Sequence, residues 1–364
     1  MALAASLPAS SAGFVPDRPD LGHRAEGWDL ADPAFFEGSL DPSAPRLLPP
    51  AAYRALAFAE LEDDVVWTRA WLAIGLAAEI PSPGDLLPFT AGHHGIHVQR
   101  DEAGGFVGRF NKAQHGGCRA VPLQCRTGTR TRCSFTACGY SRDGTVLPAD
   151  GGSTPAMHQY LGLRPERLLP VAVRPWGSLI RINLDPEAEP LETAQQGLAA
   201  LVGETRRAEF SANWKLAAQA LAEGMPRAEG QHSLDLTGRL TTGAAADISL
   251  HFPNLILIAS GPETCAIMLQ PTALGQTLLR IGLLGPEGAA PSDLEASWST
   301  WQAEIAARLA SAVAVQAALG NFATPPAASS AGLWLQQRIA ERVGARAVPT
   351  QTQPLYVTAQ GRGC

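Results

Sequence analysis

The chain has 364 residues, 46% of them apolar, 17% charged and 6% aromatic. That composition can bury at least one large core and excludes a fully disordered chain or a collagen-like fibre. Thirty-four acidic against 28 basic side chains leave a net charge of −6, only Lys112 and Lys215 are lysines, and the arginines are scattered. The clustered basic face of a nucleic-acid binder is therefore missing.

At about 150 residues per domain the length corresponds to two domains. Residues 1–50 carry Pro16, Pro19, Pro33, Pro42, Pro45, Pro49 and Pro50 among Gly, Ser and Asp, a composition that cannot sustain long regular elements and reads as an extended arm. Its first residues, MALAASLPASSAG, have neither a basic n-region nor a continuous apolar run, so no cleaved signal is expected and the cytoplasm is the expected location. From Ala51 to Leu76 apolar residues recur at three and four (Leu56, Phe58, Leu61, Val65, Trp67, Trp71, Leu72), which predicts one or two amphipathic helices ending before Pro81 and Pro83.

Residues 85–183 read as short strands and turns: Gly95 to Arg100 precedes Asp101-Glu102-Ala103-Gly104-Gly105, and Asp143-Gly144 is a second hairpin signal. This predicts a small all-β domain. After Asp185 helices are predicted over Leu191 to Ala208 and Asn213 to Glu223, strands over Ile248 to Leu284, and helices over 297–319 and 332–346. Strands and helices in separate runs indicate an α+β second domain. The uncharged run Leu309 to Gln337 is interrupted by Gln316, Gly320, Asn321, Pro325 and Pro326, so it does not predict a membrane span. No internal repeat is evident.

Cys118, Cys125, Cys133 and Cys138 fall within 21 residues, while Cys265 and Cys364 stand apart. In a cytosolic chain such a cluster suggests metal, redox or buried thiols before a disulfide framework. His93, His94 and His97 form an HHxxH pattern, but on a strand His94 and His97 point to opposite faces, which favours a polar surface over a metal pair.

Several passages, in order, carry a family resemblance: Trp67 to Trp71 before Glu79-Ile80-Pro81; His97 to Asp101 leading to Phe110-Asn111; Cys133 through Tyr140 to Asp143-Gly144; Asn213-Trp214-Lys215; and Phe252-Pro253-Asn254. The chain resembles the α subunits of Rieske non-haem iron oxygenases. The resemblance implies an arm over 1–50, a Rieske-like domain with leading helices over 51–185, and an oxygenase catalytic-like α+β domain over 186–364. It also implies a [2Fe-2S] cluster on two thiolates and two imidazoles, and a mononuclear iron on two histidines and a carboxylate.

The residues at those positions depart from the pattern. In the first cluster loop His115 takes the imidazole position and Ala113 the thiolate position. In the second, Cys133 keeps the thiolate while Thr136 stands for the imidazole. Following the helix register from Asn213-Trp214-Lys215, Glu223 falls at the acid that bridges the two metal sites between subunits. Pro226 then falls at the first iron histidine and Gln231 at the second, with His232 one residue beyond. No Asp or Glu occurs over the 36 residues 305–340, where the carboxylate ligand is expected, and Asn321 lies in about that region.

Cys118, Cys125, Cys133 and Cys138, with His115 available, remain as a possible rewired site for [2Fe-2S] or Zn²⁺; a Cys118–Cys138 disulfide is a further option. The expectation is otherwise that no cofactor and no mononuclear metal is held, and that Glu223 makes only a structural hydrogen bond. The function expected is that of a non-catalytic α-like subunit assembling with an active Rieske oxygenase α subunit as a hetero-oligomer or trimer-based assembly. Two alternatives stay open. One is an active Rieske-type oxygenase with rewired ligands. The other is a small-molecule binding protein using an emptied catalytic pocket lined from Leu255 to Ala259 and Ile267 to Leu269.

Overall fold

The computed structural model describes residues 29–110, 131–132, 139–140, 146–147, 170–188, 190–191, 205–285, 291–320 and 324–345. From residue 29 on, the expected extended arm is instead a strap folded onto the body. Its prolines keep it irregular apart from α1 (Ala34–Glu37), where Phe35 and Phe36 are buried against Phe58. Leu47 N–H donates to Pro326 O and Leu48 N–H to Gln336 Oε1, tying the strap to the end of the chain.

Helices α2 (Ala51–Arg54) and α3 (Leu56–Glu62) follow, as the three-four spacing predicts, and α3 continues into a wider π turn over Asp63–Trp67. The predicted helical region ends early, because Leu72–Leu76 is strand β1, buried along its whole length. A continuous apolar run of this length carries no period that separates helix from strand.

Strands β2 (Leu86–Ala91), β3 (His94–Arg100) and β4 (Phe106–Phe110) come next, with the Asp101 to Gly105 turn between the last two. Gly104 supplies the positive φ, at 81°, that this turn requires. Three two-residue strands form a separate ladder: β5 (Thr131–Arg132), β6 (Gly139–Tyr140) and β7 (Val146–Leu147). With β8 (Pro170–Trp176) and β9 (Leu179–Asn183), the first sheet is antiparallel in the order β1-β9-β8-β4-β3-β2.

The second sheet has seven antiparallel strands. β11 (Met225–Glu229), β12 (Ser233–Arg239), β13 (Ala245–His251), β14 (Leu255–Ser260), β15 (Glu263–Ala273) and β16 (Gln276–Leu284) run as a meander, and β10 (Arg206–Phe210) pairs with β16 at the far edge. The prediction of helix through Ala208 fails at β10. This is an edge strand of sequence Arg-Arg-Ala-Glu-Phe, whose one alternation, Ala208 and Phe210 about Glu209, is too short to mark a strand. Helix α4 (Trp214–Leu221) packs on β15 and β16 and against α5 (Pro291–Ala318) and α6 (Ser330–Gly344). The architecture is the α+β arrangement expected.

An apolar seam joins the two sheets: Ala73, Leu76, Trp176 and Leu179 pack on Leu255, Leu257, Ala266 and Met268. Ile256, Ile258, Ile267 and Leu269, alternating with them, face the main core. The strands expected to line an emptied pocket are thus filled on both sides by side chains of this chain.

Two polar side chains lock the seam. Asn254 accepts from Ala73 N–H at 2.9 Å and donates to Ala73 O at 2.8 Å and Leu269 O at 3.1 Å, an amide standing in for a strand neighbour. Arg280 donates to Pro88 O and Gln270 Oε1. Burial, helped by the charge of Arg207, lowers its pKa to about 10, which keeps it charged at neutral pH. Asn254→Ala strips both backbone groups of Ala73 of their partner inside the core. Urea denaturation is expected to show a loss of at least about 2 kcal/mol, from about 1–3 kcal/mol per buried group left unsatisfied.

Candidate functional site

Asn213-Trp214-Lys215, the tripeptide that opens the candidate metal helix, is a clamp. Asn213 caps α4: its Oδ1 accepts from Lys215 N–H at 3.1 Å while its Nδ2 donates to Leu274 O at 2.7 Å. Trp214 is buried edge-on against Trp67, ring centroids 5.0 Å apart, and its Nε1 donates to Glu62. Lys215 Nζ lies 2.7 Å from Glu62 Oε1, both side chains almost wholly buried, within a cage of Tyr53, Phe58 and Trp214 rings. Burial raises the pKa of Glu62 and lowers that of Lys215, and each opposes the shift of the other by its charge. Glu62 had no sequence signal, since 153 residues separate it from Lys215.

Beyond the clamp, the ligand register leaves the helix. α4 ends at Leu221, short of the predicted Glu223. Glu223 is exposed, and its backbone carbonyl accepts from Arg308 Nη1 at 3.4 Å; the hydrogen bond expected of this residue is made by the main chain. Met225–Glu229 is the edge strand β11, exposed at every residue, with Pro226 opposite Leu236 and a bulge after it. A proline is tolerated there because an edge strand can dispense with one N–H. Gln231 is exposed in the turn that follows, and His232 is half-buried, its carbonyl accepting from Phe252 N–H.

The two residues that the register sets against iron histidines thus lie on a strand and a turn at the sheet edge, not on one inward helical face. Proline has no donor atom and a glutamine amide is a weak ligand for iron, so these residues do not fit a mononuclear centre. Asn321, Ala113, His115, Cys118, Cys125, Cys133, Thr136 and Cys138 lie outside the described residues. Among the described residues no group of three His, Cys, Asp or Glu side chains is placed to hold a metal ion.

The buried acid of the cleft beside Met225 and Gly238 is already committed. Glu304 on α5 accepts from Thr241 N–H at 2.7 Å and from Arg308 Nε at 2.6 Å. Burial opposes its ionisation, but the Thr241 and Arg308 hydrogen bonds outweigh it and hold its pKa below the usual value. Arg308 also donates to the carbonyls of Leu221 and Arg239, closing the end of α4.

The HHxxH histidines separate as strand alternation requires. His94 Nε2 meets Asp63 Oδ2 at 3.2 Å. His97 is buried, contrary to the surface expected, and desolvation with the charge of Arg109 lowers its pKa to about 3. Asp63 also accepts from His93 N–H, and at Gly92, φ 54°, a Cβ would stand 1.5 Å from its Oδ1. This corner therefore binds itself.

No family model matches the chain. Among curated proteins it is 25% identical over 304 residues to the α subunit of biphenyl 2,3-dioxygenase from Rhodococcus jostii (strain RHA1), covering 72% of this chain and 64% of that one. It is 28% identical over 118 residues to the α subunit of N,N-dimethyl phenylurea N-demethylase from Sphingobium sp. (strain YBL2), covering 32% and 25%. The chain is thus similar over most of its length to a Rieske oxygenase α subunit.

The fold agrees. The apo quaternary ammonium Rieske monooxygenase CntA superposes with a TM-score of 0.65 at 15% identity over 85% of this chain and 98% of that one. Naphthalene 1,2-dioxygenase from Rhodococcus sp. gives 0.62 at 16% identity over 86% and 98%. The chain thus spans less than two thirds of the biphenyl dioxygenase subunit.

Within this Rieske-type fold the clamp is the part open to direct test. Lys215→Met leaves Glu62 buried without its cation and is expected to cost about 3–5 kcal/mol, whereas Glu62→Leu with Lys215→Met recovers most of that loss. Denaturation of the four proteins of this cycle measures it; a double variant no better than the single one would show that packing, not charge, sets the cost.

Proposed function

We propose that this protein is a non-catalytic, α-like member of the Rieske oxygenase family that assembles in the cytoplasm with an active Rieske oxygenase α subunit and supports it. The observation that carries the reading is the placement of Pro226 and Gln231 on an exposed edge strand and turn, where the register calls for two imidazoles. Ala113 and Thr136 at two of the four cluster positions point the same way. No helix among the described residues is long and apolar enough to cross a membrane.

The family resemblance implies rings in which electrons pass from the cluster of one subunit to the iron of the next. A subunit without either centre would interrupt that path if it alternated within the ring, so a separate layer of the assembly is the arrangement proposed. Exposed β11 suits such a contact, since all five of its residues face solvent. The rival reading, an oxygenase with Cys118, Cys125, Cys133 and Cys138 as rewired ligands, makes the opposite metal prediction.

Protein purified anaerobically without a partner is expected to hold substoichiometric iron and acid-labile sulfide and to show no visible absorption band. About two irons and two sulfides per chain, the content of one [2Fe-2S] cluster, would overturn the reading. Co-expression with a Rieske oxygenase α subunit from the same source is expected to give a common peak in size-exclusion chromatography. Separate elution would remove the partner role.

Pro226→His with Gln231→His tests the geometry rather than the composition. Because both positions lie on a strand and turn at the sheet edge, the double variant is expected to take up no stoichiometric ferrous iron, measured anaerobically by metal analysis after desalting. One iron per chain would show that the segment can still close around a metal.

A further inference from the structure

A groove of about 370 Å³ opens between the strap and the last turns of α6, within the size of small-molecule sites (about 300–1,000 Å³). Pro33, Phe36 and Leu40 of the strap line one wall, and Ala340 and Val343 of α6 line the other. Phe36 and Val343 are buried, while Leu40 and Ala340 are half-buried. α6 ends at Gly344, which also lines the groove.

The groove is apolar along its walls and acidic around them. Glu37 and Asp41 stand at it, and residues 29–45 of the strap carry Asp29, Asp32, Glu37 and Asp41 without one lysine or arginine. All four carboxylates are exposed. Three of them accept from groups of the strap itself: Asp29 from Ala31 N–H, Asp32 from Ala34 N–H, and Asp41 from Ser43 N–H and Oγ–H. Those neutral donors leave the negative charge in place. The groove therefore suits an apolar occupant flanked by positive charge.

Residues 346–364 lie outside the described residues and follow directly from Ala345, one position beyond the groove. They carry Arg346 and Arg362 and no Asp or Glu, with the apolar run Leu355-Tyr356-Val357 between the two arginines. Residues 1–28, which lead into the strap, carry Asp17, Asp20 and Glu26 against Arg18 and Arg24, a balance that the acidic strap repels. A second copy related by a two-fold axis would set the same acids against themselves. Eleven residues separate Gly344 from Leu355, a reach of up to about 36 Å when extended, so the run can fold back over the groove. The tether gives it an effective concentration in the millimolar range, at which a weak contact is sufficient. We propose that Leu355-Tyr356-Val357 docks in this groove, with Arg346 and Arg362 facing Glu37 and Asp41, and so latches the strap to α6. The inference does not depend on the chain being non-catalytic, and it requires no metal.

The test is backbone hydrogen exchange of the full chain, read over residues 34–40 and 338–344. Leu355→Ser with Tyr356→Ser is expected to speed exchange in both segments at least about fivefold and to leave the sheets unchanged. Glu37→Lys, at an exposed position, is expected to do the same, with circular dichroism reporting that both variants are folded. A peptide of residues 346–363, added at about 5 mM to the chain ending at Ala345, is expected to restore slow exchange. The same peptide with serine in place of Leu355 and Tyr356 should not. Unchanged exchange in the Leu355→Ser, Tyr356→Ser variant would overturn the proposal, as would a peptide that restores nothing. Two further results would overturn it by assigning the groove elsewhere. Faster exchange on deleting residues 1–28, with the serine variant unaffected, would give it to that segment. Protection that falls on dilution, with a dimer in size-exclusion chromatography, would give it to a second copy.

Discussion

The buried ion pair between Glu62 and Lys215 is the constraint on which the rest of the molecule depends. Two charges removed from water are tolerated only if they meet each other at short range with their remaining valences filled. Here Trp214 Nε1 supplies a second donor to the carboxylate and three aromatic faces surround the ammonium. Those requirements fix α3 against α4. With α4 fixed, Asn213 at its start anchors Leu274 between β15 and β16, and Arg308 closes its end. Position therefore passes from one buried pair to the leading helices, the seven-stranded sheet and α5.

The seam between the sheets works by a similar rule at lower charge. Apolar residues of both sheets fill it, yet register is set by Asn254 and Arg280, whose hydrogen bonds reach backbone groups on β1 and β2. An apolar interface alone would tolerate slippage; an amide matched to both the N–H and the carbonyl of Ala73 does not. The same close fit explains why Leu255 to Ile258 and Ile267 to Leu269 leave no room for a ligand.

What was legible in the sequence follows from the range of each interaction. Among the described residues, strands β2 to β4, β8 and β9, the strands from Ile248 to Leu284 and helices α5 and α6 are set by local periodicity and turn chemistry, and they stand where that pattern places them, whereas β11 and β12 were not anticipated. Asn213-Trp214-Lys215 and Phe252-Pro253-Asn254 were legible as marks of a family, but their work was not. Glu62 and Ala73 are far away in sequence and carry no pattern of their own. β10 was misread because its one apolar alternation is too short to mark a strand, and β1 because a short run buried on both faces has no period.

The clamp that holds the fold and the residues that the register sets against iron histidines are spatially separable. Every residue of the clamp and the seam lock is buried and partnered, so its loss would leave an orphaned charge or backbone group in the core. Pro226 and Gln231 are exposed at a sheet edge, where substitution leaves core packing and buried hydrogen bonds in place. Changes at such positions are therefore tolerated by the fold. The stability of this fold therefore rests on the clamp and the seam rather than on Pro226 and Gln231, whereas a domain whose core is organised by a metal would lose structure along with its ligands.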